Sequence, residues 1–132
     1  MYLLYLDDSG SASNSDEEYL VLAGISVFER QVHFISRELD GLARTISAAD
    51  PKSVEFHASE IFSGRIPPWN GMNKENRRKV INQVLDVLVR SHESTHAFAT
   101  AIKKSSYPGQ DTIEQAFEDL CSRFDLQLSR LY

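Results

Sequence analysis

The chain has 132 residues, of which 42% are hydrophobic and 25% are charged, and its formal net charge is -5. This composition is typical of a globular protein; it includes no run of about 18 apolar residues to span a membrane and no broad basic field for passive nucleic-acid binding. With a single cysteine, Cys121, no internal disulfide can form, and we expect one cytoplasmic domain over residues 1–132 with no membrane partner.

The first two predicted elements are strands. Tyr2–Leu6 is a short apolar and aromatic run that is followed by Asp7, Asp8, a serine and a glycine. Tyr19–Phe28 is a longer run, in which Gly24 suggests a bulge. About a dozen mostly polar residues separate the two runs, which favours an antiparallel hairpin with a long loop.

A helix and two short elements are predicted next. Arg30–Ile46 carries apolar residues at helical spacing and ends before Asp50-Pro51. Ser53–His57 (SVEFH) reads as a short extended segment, and Ala58–Phe62 as a single helical turn.

Two further helices flank the last predicted strand. Asn73 is a candidate N-cap for a helix whose apolar stripe consists of Val80, Ile81, Val84, Leu85 and Leu88. Thr95–Ile102 alternates like a strand, and Asp111 or Thr112 begins a final helix that continues to Tyr132.

The order β-β-α-β-α-β-α predicts an α/β or α+β fold, with a mixed β-sheet and flanking helices. Two long and two short strands make a small sheet for three long helices to pack against. We therefore expect the sheet to be incomplete at the C-terminal end, either because the chain is truncated or because another chain completes it. An open sheet edge predicts a homo-oligomer.

The adjacent carboxylates of Asp7 and Asp8 are the first candidate site. Residues 1–20 contain five acidic residues and no Lys or Arg, which accounts for the whole net charge. Neighbouring residues of a strand point to opposite faces, so one of the two, with Asp7 favoured, is expected to face a site. The alternative is a surface turn that begins with Asp and closes at Gly10.

The segment Glu55-Phe56-His57 is the second candidate. Alternation places Glu55 and His57 on one face and Phe56 on the other, and a carboxylate beside an imidazole is a common start of a metal site or an acid–base pair. The alternative is a solvated strand edge. The basic clusters at 77–79 and 103–104 are phosphate contacts if the substrate is a nucleic acid, and otherwise solvated faces.

Four segments, taken in order, resemble the start of an uncharacterised family, the domain of unknown function 3800. They are YLDDSG at Tyr5–Gly10, YLVLAGISVF at Tyr19–Phe28, VEFHASEIF at Val54–Phe62 and AFEDLCSRF at Ala116–Phe124. The resemblance covers nearly the whole chain and implies the N-terminal part of a ribonuclease-H-like fold. In that fold carboxylates hold two divalent ions, which activate water for phosphodiester cleavage.

The resemblance implies roles for four residues. Asp7 matches the acid of the first strand and Glu55 the second acid, Asp8 stands where the family usually has Glu, and His57 matches a family histidine. Metal ligands are then Asp7, Asp8 and Glu55, and catalytic residues are Asp7, Glu55 and His57. Oxygen ligands suit Mg²⁺ or Mn²⁺, and binding by His57 favours Mn²⁺.

Together these features predict a divalent-metal-dependent nuclease with a nucleic-acid substrate, in a phage or defence context. Two departures from the family pattern oppose this. Later family acids are absent from this chain, and the helix at Arg30–Ile46 interrupts the expected three-strand meander. The alternatives are a catalytically degenerate interaction or regulatory module of the same fold and, with less support, an ATPase-like phosphate turn at Asp8–Ser11.

Overall fold

The computed structural model describes residues 1–131, and over these it is a mixed α/β protein with one three-stranded antiparallel sheet and four α-helices. The strands are β1 (Tyr2–Ser9), β2 (Tyr19–Phe28) and β3 (His96–Lys103), and the helices are α1 (Glu29–Ile46), α2 (Ala58–Ser63), α3 (Lys74–Arg90) and α4 (Thr112–Leu131). None of these four helices combines the length and the apolar character needed to cross a bilayer.

The chain divides into two compact units. The first contains residues 1–29 and the chain from position 93 onward, and the second is Arg30–His92. The first unit therefore holds the whole described sheet together with α4, whereas the second is helical.

In the first unit, β2 lies between β1 and β3 and pairs with both in antiparallel register. Alternation along β2 buries Leu20, Leu22 and Ser26 on one face, and α4 packs over this face. Its core consists of Leu22, Ile102, Ala116 and Leu120, with Leu6 and Phe98 packed against them. The predicted mixed sheet is wrong over the described residues, because both strand pairs are antiparallel.

Gly24 is not a bulge. It pairs with Leu6 on one side and with Phe98 on the other, in a register that is continuous along β2. A Cβ atom at this position would lie 2.7 Å from Cδ2 of Leu6 and 3.2 Å from Cδ1 of Leu4. The glycine therefore makes room for the leucines of β1.

The second unit is held together by one apolar cluster, and α1, α2, α3 and the loops between them contribute to it. Trp69 is 1% exposed and lies 6.4 Å from Phe56, measured between ring centroids. The Asn73 side chain accepts a hydrogen bond from the Asn76 amide at 2.8 Å and so caps α3, as predicted. The buried members of the cluster are Ala43, Val54, Ile61, Trp69 and Val80.

The segment predicted as a fourth strand is not one. Pro51–Ser53 form a 3-10 turn, Val54 and His57 are extended, and residues 54–57 have no strand partner. The reason is local, since proline favours the start of a helical turn and Val54 and Phe56 pack against the helical core instead of a sheet.

Candidate functional site

Asp7 and Asp8 both lie inside β1, which continues to Ser9. The alternative that a surface turn begins at these acids is therefore wrong. Asp7 pairs with Ala23 and Asp8 with Leu22, so the two carboxylates point to opposite faces of the sheet. Both residues are exposed.

Asp8 shares its face with helix α4. A row of paired residues runs from Asp8 through Leu22 to Thr100, and paired residues of antiparallel strands lie on the same face. The Cα atoms of Asp8 and Thr100 are two strand spacings apart, about 10 Å. Asp7, which the sequence analysis favoured, lies on the opposite face.

Helix α4 brings a second carboxylate to the face that carries Asp8. The hydroxyl of Thr100 donates a hydrogen bond to Oδ2 of Asp119 on α4. Arg123, one turn further along α4, places its Nε 2.9 Å from the same oxygen. Sequence reasoning did not select Asp119, although its spacing of four residues from Arg123 is typical of a helical ion pair.

Glu55 and His57 are exposed, whereas Val54 is buried and Phe56 half-buried. Exposure along this segment therefore alternates as predicted. His57 directly precedes α2, and its Nδ1 lies 2.9 Å from the hydroxyl of Ser59. The imidazole is thus oriented by a side chain of the helix that follows it.

The predicted ligands are divided between the two units. Asp7 and Asp8 belong to the first unit, and Glu55 and His57 belong to the second. Within each unit, residues 1–131 include no group of three or more His, Cys, Asp or Glu side chains arranged to hold a metal ion. Binding of Mg²⁺ or Mn²⁺ stays a prediction.

The two lysines at the end of the sheet stabilise the loop between β1 and β2. Lys104 is largely buried and donates to the carbonyls of Ser11 at 2.5 Å and Asn14 at 2.8 Å. Lys103 forms an ion pair of 2.9 Å with Glu18. Their charges are engaged within the protein, which weakens their interpretation as phosphate contacts.

The basic cluster at 77–79 lies at the start of α3. Here Nη1 of Arg77 donates to the carbonyl of Met72 at 2.5 Å, and Lys79 pairs with Glu75 at 3.1 Å. Arg78 is exposed and forms no ion pair with another residue of 1–131. One cation of this cluster thus remains available to an anionic ligand.

Comparisons with protein-family models, with curated proteins and with solved structures give no significant match. The resemblance to the domain of unknown function 3800 therefore rests on the residues themselves. The homo-oligomer also stays a prediction. The edge strands of the described sheet, where a second copy would pair, are β1 and β3.

Proposed function

We propose that this protein is a divalent-metal-dependent nuclease whose first unit is the beginning of a ribonuclease-H-like fold. The observation that carries the proposal is the sheet order β1-β2-β3 with both pairs antiparallel, because such a fold begins with a three-strand meander. On this interpretation residues 30–92 are an insertion between the second and third strands. The insertion would contain the helix predicted at Arg30–Ile46, which interrupts the expected three-strand meander.

The proposed metal ligands are carboxylates, which suit Mg²⁺ or Mn²⁺. Among the candidates Asp7, Asp8 and Glu55, we favour Asp8 as the sheet ligand because it shares a face with α4 and Asp119. A divalent ion also offsets the repulsion between neighbouring carboxylates. The bound ion would polarise a water for attack on a phosphodiester and stabilise the leaving oxygen.

Because Asp7 and Asp8 point to opposite faces, the proposal predicts that they contribute unequally. Calorimetric titration of Mn²⁺ into the protein tests this. Asp8→Asn should weaken binding by about tenfold or more, because an amide oxygen carries no charge. Asp16→Asn is a matched control, since Asp16 is exposed and its carboxylate forms no ion pair with a residue in the range 1–131.

Cleavage is measured separately, with labelled single- and double-stranded DNA and RNA in Mn²⁺ and in EDTA. Activity that requires Mn²⁺ and is lost in Asp8→Asn but kept in Asp16→Asn would support the proposal. Absence of both Mn²⁺ binding and cleavage would contradict it and favour the interaction or regulatory module. Equal loss of Mn²⁺ binding in Asp8→Asn and Asp16→Asn would contradict the assignment of the ligand.

A further inference from the structure

A groove of about 310 Å³ lies between β3 and α4 in the first unit. This is within the size range of small-ligand sites in proteins. It combines aromatic, apolar and cationic side chains, and the residues that matter for its chemistry are His96, Phe98, Arg123, Leu126, Gln127 and Arg130.

One wall of the groove is a pair of stacked rings. His96 and Phe98 are two positions apart on β3 and therefore point to the same face. Their ring centroids are 6.5 Å apart and their planes differ by 17°. Leu126 on α4 is 59% exposed and adds an apolar surface. Aromatic ring faces stack well against a planar ring of a ligand.

Gln127 is 8% exposed, yet its hydrogen bonding is incomplete. Its Nε2 donates to the carbonyl of Ser94 at 3.3 Å and lies 2.9 Å from Nδ1 of His96. Its Oε1 is buried and accepts no hydrogen bond from another residue of the described chain. Buried acceptors normally have a partner, so this amide is a polar group of the groove wall that the described residues leave unsatisfied.

Two arginines give the groove its positive charge. Arg130 is exposed and forms no ion pair with any other residue of 1–131, and Arg123 shares its charge with Asp119 at 2.9 Å. They are seven positions apart, or two helical turns, and so lie along one side of α4. The groove thus presents a stacking surface beside a line of cations.

We propose that this groove binds single-stranded nucleic acid, with one base stacked on the His96–Phe98 pair and adjacent phosphates held by Arg130 and Arg123. Stacking surfaces combined with cations are how proteins bind single strands without reading their sequence. The inference deepens the proposed function and rests on it, since it names a single strand as the form of the substrate.

The test is fluorescence anisotropy of a labelled oligothymidylate with the full chain in EDTA, so that no metal-dependent step contributes. Arg130→Gln should weaken binding by about tenfold and lower the slope of log K against log salt by about 0.7, the value for one phosphate contact on a single strand. Arg44→Gln is the matched control, because Arg44 and Arg130 each lie in the last turn of a long helix. It should change neither quantity.

A second probe separates stacking from charge. Replacing the oligonucleotide by an abasic strand of the same length should weaken binding by about tenfold, and His96→Ala should remove most of this difference. Equal affinity for both strands would overturn the stacking proposal, and equal effects of Arg130→Gln and Arg44→Gln would overturn the groove as the site. Binding in EDTA without any Mn²⁺-dependent cleavage would contradict the nuclease proposal alone and leave the groove supported.

Discussion

The hydroxyl of Thr100 on β3 donates a hydrogen bond to the carboxylate of Asp119 on α4. Thr100 is 7% exposed, so the bond lies beneath the helix and ties it to the sheet. The same carboxylate oxygen also contacts Arg123. This contact joins α4 to β3 beside the groove that lies between them.

Thr100→Val should lower the free energy of unfolding by about 1 kcal/mol, because the half-exposed carboxylate of Asp119 loses the hydrogen bond from the buried hydroxyl of Thr100. Urea denaturation followed by circular dichroism measures this. Thr95→Val is the control with the same chemical change. The Thr95 hydroxyl is buried and has no hydrogen-bond partner within residues 1–131, so its removal should be neutral or stabilising.

Gly24→Ala should destabilise the sheet by about 1–3 kcal/mol, because the new methyl group would overlap Cδ2 of Leu6. Gly41→Ala makes the same substitution in the exposed interior of α1, where nothing lies within 4 Å of the added atom. It should stabilise the protein by about 0.5–1 kcal/mol through helix propensity. Thermal denaturation of both variants measures these changes in stability. A destabilised Gly41→Ala or an unchanged Gly24→Ala would contradict the prediction.

Val87→Ala and Val89→Ala remove the same two methyl groups from α3. Val87 is 2% exposed and Val89 is 80% exposed. The first substitution should cost about 2 kcal/mol of stability through lost burial and a residual cavity, and the second should change stability by less than about 0.5 kcal/mol. Trp69 is the sole tryptophan and lies in the same unit, so its fluorescence in a urea titration reports the effect directly.

Lys104→Met should loosen the loop between β1 and β2, because it removes the donor to the carbonyls of Ser11 and Asn14. Hydrogen exchange of the amides of residues 10–18 should become faster by about tenfold. Lys103→Met breaks only the exposed ion pair with Glu18 and should have little effect. Unchanged exchange in Lys104→Met would show that the loop is held by other contacts.

The local sequence pattern was sufficient to predict most of the strands and helices. The strand at Tyr19–Phe28 and the helix after Asn73 were predicted correctly. Burial of one face makes apolar residues recur with the period of the strand or helix. The alternating exposure of Glu55, Phe56 and His57 was also predicted, because the two polar side chains are exposed and the aromatic one is half-buried. The predicted strand at Ser53–His57 failed, because whether an extended segment enters a sheet depends on partners that are distant in the chain.

The sequence by itself determined the periodicity of the main strands and helices, the acidic end of the chain and the candidate residues, because these depend on side-chain chemistry and nearest neighbours. Alternation predicted that Asp7 and Asp8 point to opposite faces, but only the tertiary structure decided that Asp8, and not Asp7, shares a face with α4 and Asp119. It also brought the rings of β3, the buried amide of Gln127 and two arginines together in one groove. Such groupings join residues far apart in sequence, and they follow from strand register and helix packing, which no local pattern specifies.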